Sequence, residues 1–315
     1  MVIKSSKVAY KRHYPKEEPL LAQTKGLLRR FGLQARKGLG QHFLIDEEVL
    51  KLIVSAAGLT SADVIMEIGS GLGVLTRELV RQGGWVIAVE LDSRLTAILQ
   101  QSLASFKNIT IVNEDILQID PLILLQEQKA KFPAGISCPF SYKVVANLPY
   151  YITSPVLRHF LEASLKPQVM VVMVQKEVAE AIVAKPGQMS MLSISVQFYG
   201  EAVIVSYVPA RCFYPVPEVD SAILKIELYA QPLVEVTNRE GFFRLVQAGF
   251  SAPRKQVGNS LAQGLGLSKA DVLSLLGKAS IMPQRRAETL TLDEWAKLGK
   301  VFTQVNEHVD SSSAS

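Results

Sequence analysis

Five compact apolar runs, each six to eight residues long, recur between residues 64 and 175 and alternate with stretches of helical spacing. The runs are VIMEIG (64–69), WVIAVELD (85–92), ITIVNED (109–115), KVVANLPY (143–150) and QVMVVMVQ (168–175). They are nearly continuous rather than alternating in polarity, the pattern of strands covered on both faces. Between them, LTRELVRQ (75–82), RLTAILQQSLAS (94–105) and SPVLRHFLEASL (154–165) place apolar residues three and four apart. Ser154 stands as an N-cap with Pro155 just inside the last of these helices. Strand–helix alternation of this kind implies βαβ units and a largely parallel sheet. AVIVSYV (202–208) and SAILKIEL (221–228) lie closer together and predict an antiparallel edge. After about residue 230 the strand signal ends. FFRLVQAGF, VGNSLAQGLG, KADVLSLLGKA and LDEWAKLGKVF predict four short helices, and the final residues a disordered tail. Residues 121–142 read as a long linker with an irregular excursion.

The first strand ends in EIGSGLG, so Gly69, Gly71 and Gly73 occupy the turn between a strand and a helix. Glycine permits the tight turn and lets a ligand approach the backbone. The spacing is G-x-G-x-G and not the G-x-G-x-x-G of dinucleotide enzymes, which favours S-adenosylmethionine over a nicotinamide dinucleotide. Glu90 closes the second strand, 21 residues after Gly69. A carboxylate there is placed to accept both ribose hydroxyls of an adenosine-containing ligand. Asp115 closes the third strand, within reach of an adenine amine. Open α/β sheets bind ligands outside the carboxyl ends of their strands, so three successive strand ends converge on one nucleoside site.

The fourth strand ends in NLPY, Asn147 to Tyr150. The exocyclic amine of adenine is a poor nucleophile because its lone pair is delocalised into the ring. An asparagine oxygen and a neighbouring backbone carbonyl can accept its two hydrogens and aim the nitrogen at a sulfonium methyl. Pro149 stiffens that backbone, and the ring of Tyr150 can stack on an extruded base. The reaction then needs positioning and electrostatics rather than a strong base. In FYPVPEVDSA (213–222), Pro215 and Pro217 predict a stiff extended loop that presents Phe213 or Tyr214. Opposite Tyr150, one of them would sandwich the adenine.

The net charge of +5 conceals a division. Residues 1–40 hold ten Lys and Arg against two acids, and residues 241–286 hold seven against one. The span 41–240 sums to −6 and 287–315 to −3. Two basic ends around an acidic middle suit a polyanion gripped from both sides. No apolar run reaches the ~18 residues of a membrane span, and the N-terminus lacks the apolar core of a secretory signal. Cys138 and Cys212 are too few for a disulfide framework, which indicates a reducing compartment, and the scattered histidines show no metal spacing.

The ordered series KGLGQHFLID, EIGSGLGVLT, AVELD, NEDIL, VVANLPYYITSPVL, FYPVPEVDSAILKI and FFRLVQAGFSAPRKQVGNSL resembles the ribosomal RNA adenine dimethyltransferases of the KsgA type. The resemblance runs from about residue 37 to about 300. It implies an α/β fold: a Rossmann-like class I methyltransferase domain over 37–230 and a small all-helical, RNA-binding domain over 231–305. A flexible basic arm (1–36) and a disordered tail (306–315) would flank them. It further implies S-adenosylmethionine as donor, with two adjacent adenosines in a hairpin near the 3′ end of small-subunit (16S) rRNA as acceptors. Each would be methylated twice during small-subunit biogenesis in the cytoplasm. The partner would be small-subunit rRNA or an assembling 30S particle, with no membrane or metal, and the enzyme a monomer. Carried over by position, the cofactor contacts fall on His42, Leu44, Gly69, Gly71, Glu90, Asp115 and Asn147. Catalytic roles fall on Asn147, Pro149, Tyr150 and Phe213, and RNA contacts on Arg254 and Lys255. The family more often has asparagine at the position of His42, and paired arginines before the lysine at Lys255. The alternatives are a large-subunit rRNA adenine dimethyltransferase of the macrolide-resistance type and a non-catalytic assembly factor with the same fold. A nicotinamide dehydrogenase accounts for neither NLPY nor the charged ends.

Overall fold

A computed structural model describes residues 18–36, 40–133, 136 and 141–312. Residues 1–17 of the expected basic arm, Cys138 and most of the 131–140 excursion lie outside the described residues. The described chain contains nine strands: β1 (Phe43–Leu44), β2 (Val64–Ile68), β3 (Trp85–Val89), β4 (Ile109–Val112), β5 (Lys143–Asn147), β6 (Val169–Gln175), β7 (Gly200–Val208), β8 (Phe213–Tyr214) and β9 (Ser221–Leu228). It contains twelve α-helices. The first six are α1 (Leu20–Arg30), α2 (Glu47–Ala57), α3 (Val74–Gln82), α4 (Ser93–Ser102), α5 (Pro121–Gln128) and α6 (Thr153–Glu162). They are followed by α7 (Lys176–Ile182), α8 (Met191–Tyr199), α9 (Arg239–Phe250), α10 (Val257–Leu265), α11 (Lys269–Lys278) and α12 (Leu292–Ser312).

Seven strands form one sheet in the order β4-β3-β2-β5-β6-β9-β7. The five runs expected to be parallel pair in parallel. The predicted antiparallel edge is present too, with β9 inserted between β6 and β7 and antiparallel to both. This is the Rossmann-like methyltransferase sheet. Strand order reverses between β2 and β5, and that switch point opens a crevice beyond the strands' carboxyl ends. Alternate residues of each strand serve opposite layers. Ile65, Val145, Val171 and Met173 pack with α2 and α3. Val64, Met66, Val144 and Val172 pack with α5, α6 and α8 on the other face.

Local chemistry explains the boundaries. Asp46 caps α2 through the Glu48 and Val49 amides, and Gly58 ends it in the left-handed region. Asp92 caps α4. Four expectations are corrected. The 121–142 linker begins with α5, because Asp120 caps the Leu122 amide and Pro121 sits at the first helical position. Ser154 is not an N-cap: a 3-10 turn, Tyr150–Ile152, runs into α6 at Thr153 with no side-chain cap. Within the presumed arm, α1 is packed rather than loose, with Leu28 buried against Phe43, Leu72, Leu95 and Ile98. The presumed tail continues α12 as helix to Ser312. Helices α2, α7 and α8 had no counterpart in the sequence reading.

The four expected C-terminal helices are α9 to α12. They do not form a separate core. Phe198 of α8 stacks on Phe242 of α9 with ring centroids 5.2 Å apart. One continuous apolar cluster runs from the sheet through these rings to Trp295.

Candidate active site

At the switch point the strand ends enclose a cleft of about 380 Å³. His42, Leu44, Gly69, Gly71, Glu90, Asp115, Asn147, Pro149 and Tyr150 all line it. The glycine turn is shaped by its first neighbours. Gly69 has φ +70° and Gly71 φ +58°. A Cβ on Gly71 would also stand 3.4 Å from the Phe43 ring. A side chain at Gly71 would therefore be strained in its backbone and crowd the cleft wall.

Glu90 holds the turn open. One carboxylate oxygen accepts the Gly71 amide at 2.8 Å and the other accepts the Asp92 amide at 2.8 Å. Burial raises the Glu90 pKa, and these two amides oppose the rise. Asn113, unremarked in the sequence, donates to the carbonyls of Glu90 and Leu91 and fixes the strand end. Asp115 spends one oxygen on capping the Leu117 amide, leaving the other for a ligand. Asp92 lies in the wall as well, but the Arg94 guanidinium holds its carboxyl down at about 2. Apolar walls come from Leu72, Ile116 and Leu91, the last 54% exposed. Nothing in the periodicity marked Leu91; an exposed leucine just past a strand-end acid was the available signal.

Asn147 is oriented by an unexpected partner. Its Nδ2 donates to the His42 carbonyl at 3.1 Å. A carbonyl can only accept, so the amide orientation is set and Oδ1 is left as an acceptor. The His42 ring stacks on Tyr150, centroids 5.9 Å apart and planes 21° from parallel. Its Nδ1 lies 2.8 Å from the Pro215 carbonyl, which requires a proton on Nδ1. Tyr150 is also tied through its hydroxyl to buried Ser221 at 2.8 Å. QHFL, NLPY and the FYPVP loop thus form one connected wall.

Phe213 does not reach the cleft. It is 1% exposed and packs with Leu44, Ile53 and Cys212. The short pairing of Leu44 with Phe213 and Phe43 with Tyr214 orients successive side chains to opposite sides and turns Phe213 inward. The expected sandwich of Tyr150 with Phe213 or Tyr214 is therefore corrected, since Phe213 is buried and Tyr214 lines a separate concavity rather than the cleft. Arg254 and Lys255 are not among the residues lining the cleft and are exposed in the turn between α9 and α10.

The cleft suits an adenosyl sulfonium ligand. Two buried polar atoms in its wall, Glu67 Oε2 and Ser70 Oγ, have no hydrogen-bond partner. The acidic side chains of Glu90 and Asp115 line the same space. Among the described residues no group of three His, Cys, Asp or Glu side chains is placed to hold a metal. Nor is any helix among them long and apolar enough to cross a membrane.

Glu67 carries a pH signature. Its carboxyl is 1% exposed, and burial pushes its pKa up to about 7; the Thr76 and Ser70 hydroxyls oppose the rise. The unfolded chain ionises this group near 4.5, whereas the folded chain keeps the proton to about 7. Burial of Glu67 thus costs nothing below pH 4.5. The cost grows as pH rises and levels off above 7 at about 3 kcal/mol. Glu67→Gln removes this term. Urea unfolding of the ligand-free protein should show the variant gaining about 3 kcal/mol on the wild type between pH 4.5 and 8. A constant difference across that range would show that the Glu67 carboxyl is ionised at neutral pH.

The chain is similar to known proteins along most of its length. A family model described as ribosomal RNA adenine dimethylase matches residues 32–304. A ribosomal RNA small subunit methyltransferase A of Dehalococcoides mccartyi is 50% identical over 285 residues, covering 90% of this chain and 94% of that protein. The protein of the same description from Enterococcus faecalis is 42% identical over 294 residues, 91% of this chain and 97% of that one. Among solved structures, the 23S rRNA methyltransferase ErmE matches with a TM-score of 0.63 at 28% identity, over 83% of this chain and 100% of its own. A dimethyladenosine transferase from Plasmodium falciparum shares the fold, with a TM-score of 0.67 at 24% identity over 84% and 98% of the two chains.

Proposed function

Because the chain belongs to the ribosomal RNA adenine dimethylase family, we propose how this cleft carries out the family reaction. The chain is a small-subunit rRNA adenine dimethyltransferase. It transfers methyl groups to the exocyclic amines of two adjacent adenosines in a hairpin near the 3′ end of 16S rRNA, two to each amine. The observation that carries the reading is the setting of Asn147 in the cleft wall at the switch point, with Nδ2 committed to the His42 carbonyl.

S-adenosylmethionine, bound along the glycine turn, supplies an electrophilic methyl on a sulfonium. Gly69 and Gly71 admit it close to the backbone. Glu90 and Asp115 receive its ribose hydroxyls and adenine amine, Leu44 and the His42 backbone close the near side, and Leu91 and Ile116 flank the base. On the acceptor side, Tyr150 stacks on the extruded adenine, held by Ser221 beneath it. Asn147 Oδ1 and a backbone carbonyl of the NLPY segment accept the two amine hydrogens, and Pro149 keeps that carbonyl in place. The nitrogen would form its bond to the methyl as the S–CH₃ bond breaks and S-adenosylhomocysteine leaves, and would then lose a proton to water, so no side chain serves as a strong base. Arg254 and Lys255 contact phosphates beside the target loop. The enzyme acts as a monomer in the cytoplasm, on rRNA or on an assembling subunit.

The likeness to ErmE extends along all of that chain, so the fold is common to large- and small-subunit enzymes. Preference for the small subunit rests on the relatives at 42–52% identity. Unmethylated small subunits incubated with labelled donor should acquire dimethyladenosine at two adjacent positions near the rRNA 3′ end. Label mapping to large-subunit rRNA, or a protein that binds NADH and not S-adenosylhomocysteine, would overturn this assignment.

A further inference from the structure

A second concavity, of about 750 Å³, lies between α1 and the FYPVP loop, with Tyr214 and Pro215 on one side and Lys25, Leu28 and Arg29 on the other. Three observations bear on what it takes. First, its cations are unneutralised. Helix α1 carries Lys25, Arg29 and Arg30 and no acid. Lys25 and Arg29 are exposed and form no ion pair among the described residues. Second, charge and ring are already juxtaposed: Lys25 Nζ stands 5.1 Å from the centroid of the Tyr214 ring. Cations interleaved with an aromatic face are the composition of single-strand RNA sites, where phosphates and bases are read side by side. Third, the groove adjoins the target pocket through one residue. Pro215 lines the groove, and its carbonyl meets the His42 ring that stacks on Tyr150.

We propose that this groove is a binding site for an unpaired nucleotide flanking the target adenosine. Its phosphate lies between Lys25 and Arg29 and its base rests against Tyr214 and Pro215. The proposal rests on the rRNA methyltransferase reading above. The helix suited to this role is packed in place by Leu28 on the cluster that includes Leu72 and Leu95, both cleft residues. Its cations are therefore held at a fixed offset from the donor site. The site gives part of the basic surplus of residues 1–40 a defined position next to the chemistry.

The test compares full-length wild type with the double variant Lys25→Ala, Arg29→Ala on unmethylated small subunits over a range of salt concentrations. Losing both cations that hold this one phosphate should raise KM for the RNA substrate roughly tenfold at ~0.15 M salt and make the log–log salt slope shallower by about 0.7. Affinity for S-adenosylhomocysteine and kcat at saturating RNA should stay within about twofold. The charge-preserving exchange Lys25→Arg, Arg29→Lys should restore the KM, which a merely helix-stabilising role would not require. Unchanged KM and slope in a double variant beside an active wild type would overturn the groove assignment alone. Lower kcat and weaker S-adenosylhomocysteine binding at unaltered KM would overturn it too, reducing α1 to a prop for the cleft. A wild type that transfers nothing to small subunits would instead sink the enzyme reading and the groove with it.

Discussion

Asn147→Ala is expected to slow methyl transfer by roughly 10²–10³-fold, the loss that follows removal of one preorganised polar group at a reacting centre. The argument is geometric. The Nδ2–His42 carbonyl bond of 3.1 Å leaves Oδ1 as an acceptor with no rotation open to it that keeps both partners satisfied. The adenine nitrogen gains its directed lone pair only while its hydrogens are held, so the effect falls on kcat. Affinity for rRNA, which rests on phosphate contacts elsewhere, should change little. Single-turnover transfer to unmethylated small subunits, measured beside filter binding of the same RNA, separates the two quantities. Transfer at the wild-type rate would remove Asn147 from the mechanism.

The second large effect is expected at Glu90, on the donor rather than the acceptor. Its two oxygens each accept a backbone amide at 2.8 Å, one from Gly71 and one from Asp92. Glutamine keeps the shape but has a single acceptor oxygen, so its NH₂ must confront one of those N–H groups. Glu90→Gln should therefore weaken S-adenosylhomocysteine binding almost as much as Glu90→Ala, by roughly 10²-fold. That is the size expected when a charge-assisted hydrogen bond of about 1.5–3 kcal/mol is lost and the turn it supports is distorted. Calorimetric titration reads this directly. A glutamine variant that binds like the wild type would show that the carboxylate's charge and second acceptor are dispensable.

The donor side of this site was legible from residue order because each contributor ends a strand. Once the runs at 64–69, 85–92, 109–115 and 143–150 are read as neighbouring parallel strands, Gly69, Glu90, Asp115 and Asn147 must converge. Contacts between residues far apart in the chain left no such trace. The His42–Pro215 contact joins residues 173 apart, and nothing in either local stretch announces it. Phe213 and Tyr214 differ only in strand parity, and a two-residue pairing with β1 decides which of them is buried. LLAQTKGLLRRFGL reads at best as a short amphipathic helix within a flexible arm, yet the apolar face of α1 completes a small cluster with Phe43 and Leu72. The helical C-terminal region was visible as four periodic segments, but its fusion to the catalytic core through Phe198 and Phe242 depends on α8, for which the sequence reading offered no element.

That fusion bears on how one pocket serves two acceptors. A lobe joined through a flexible linker can swing to follow its substrate. Here the stacked rings at 5.2 Å and the unbroken apolar cluster behind them clamp the C-terminal helices to the sheet. The distance from Arg254 to Asn147 is then a property of the scaffold. On the proposed reading, successive transfers to two neighbouring bases would then fall to the nucleic acid to accommodate, each adenosine being repositioned in turn.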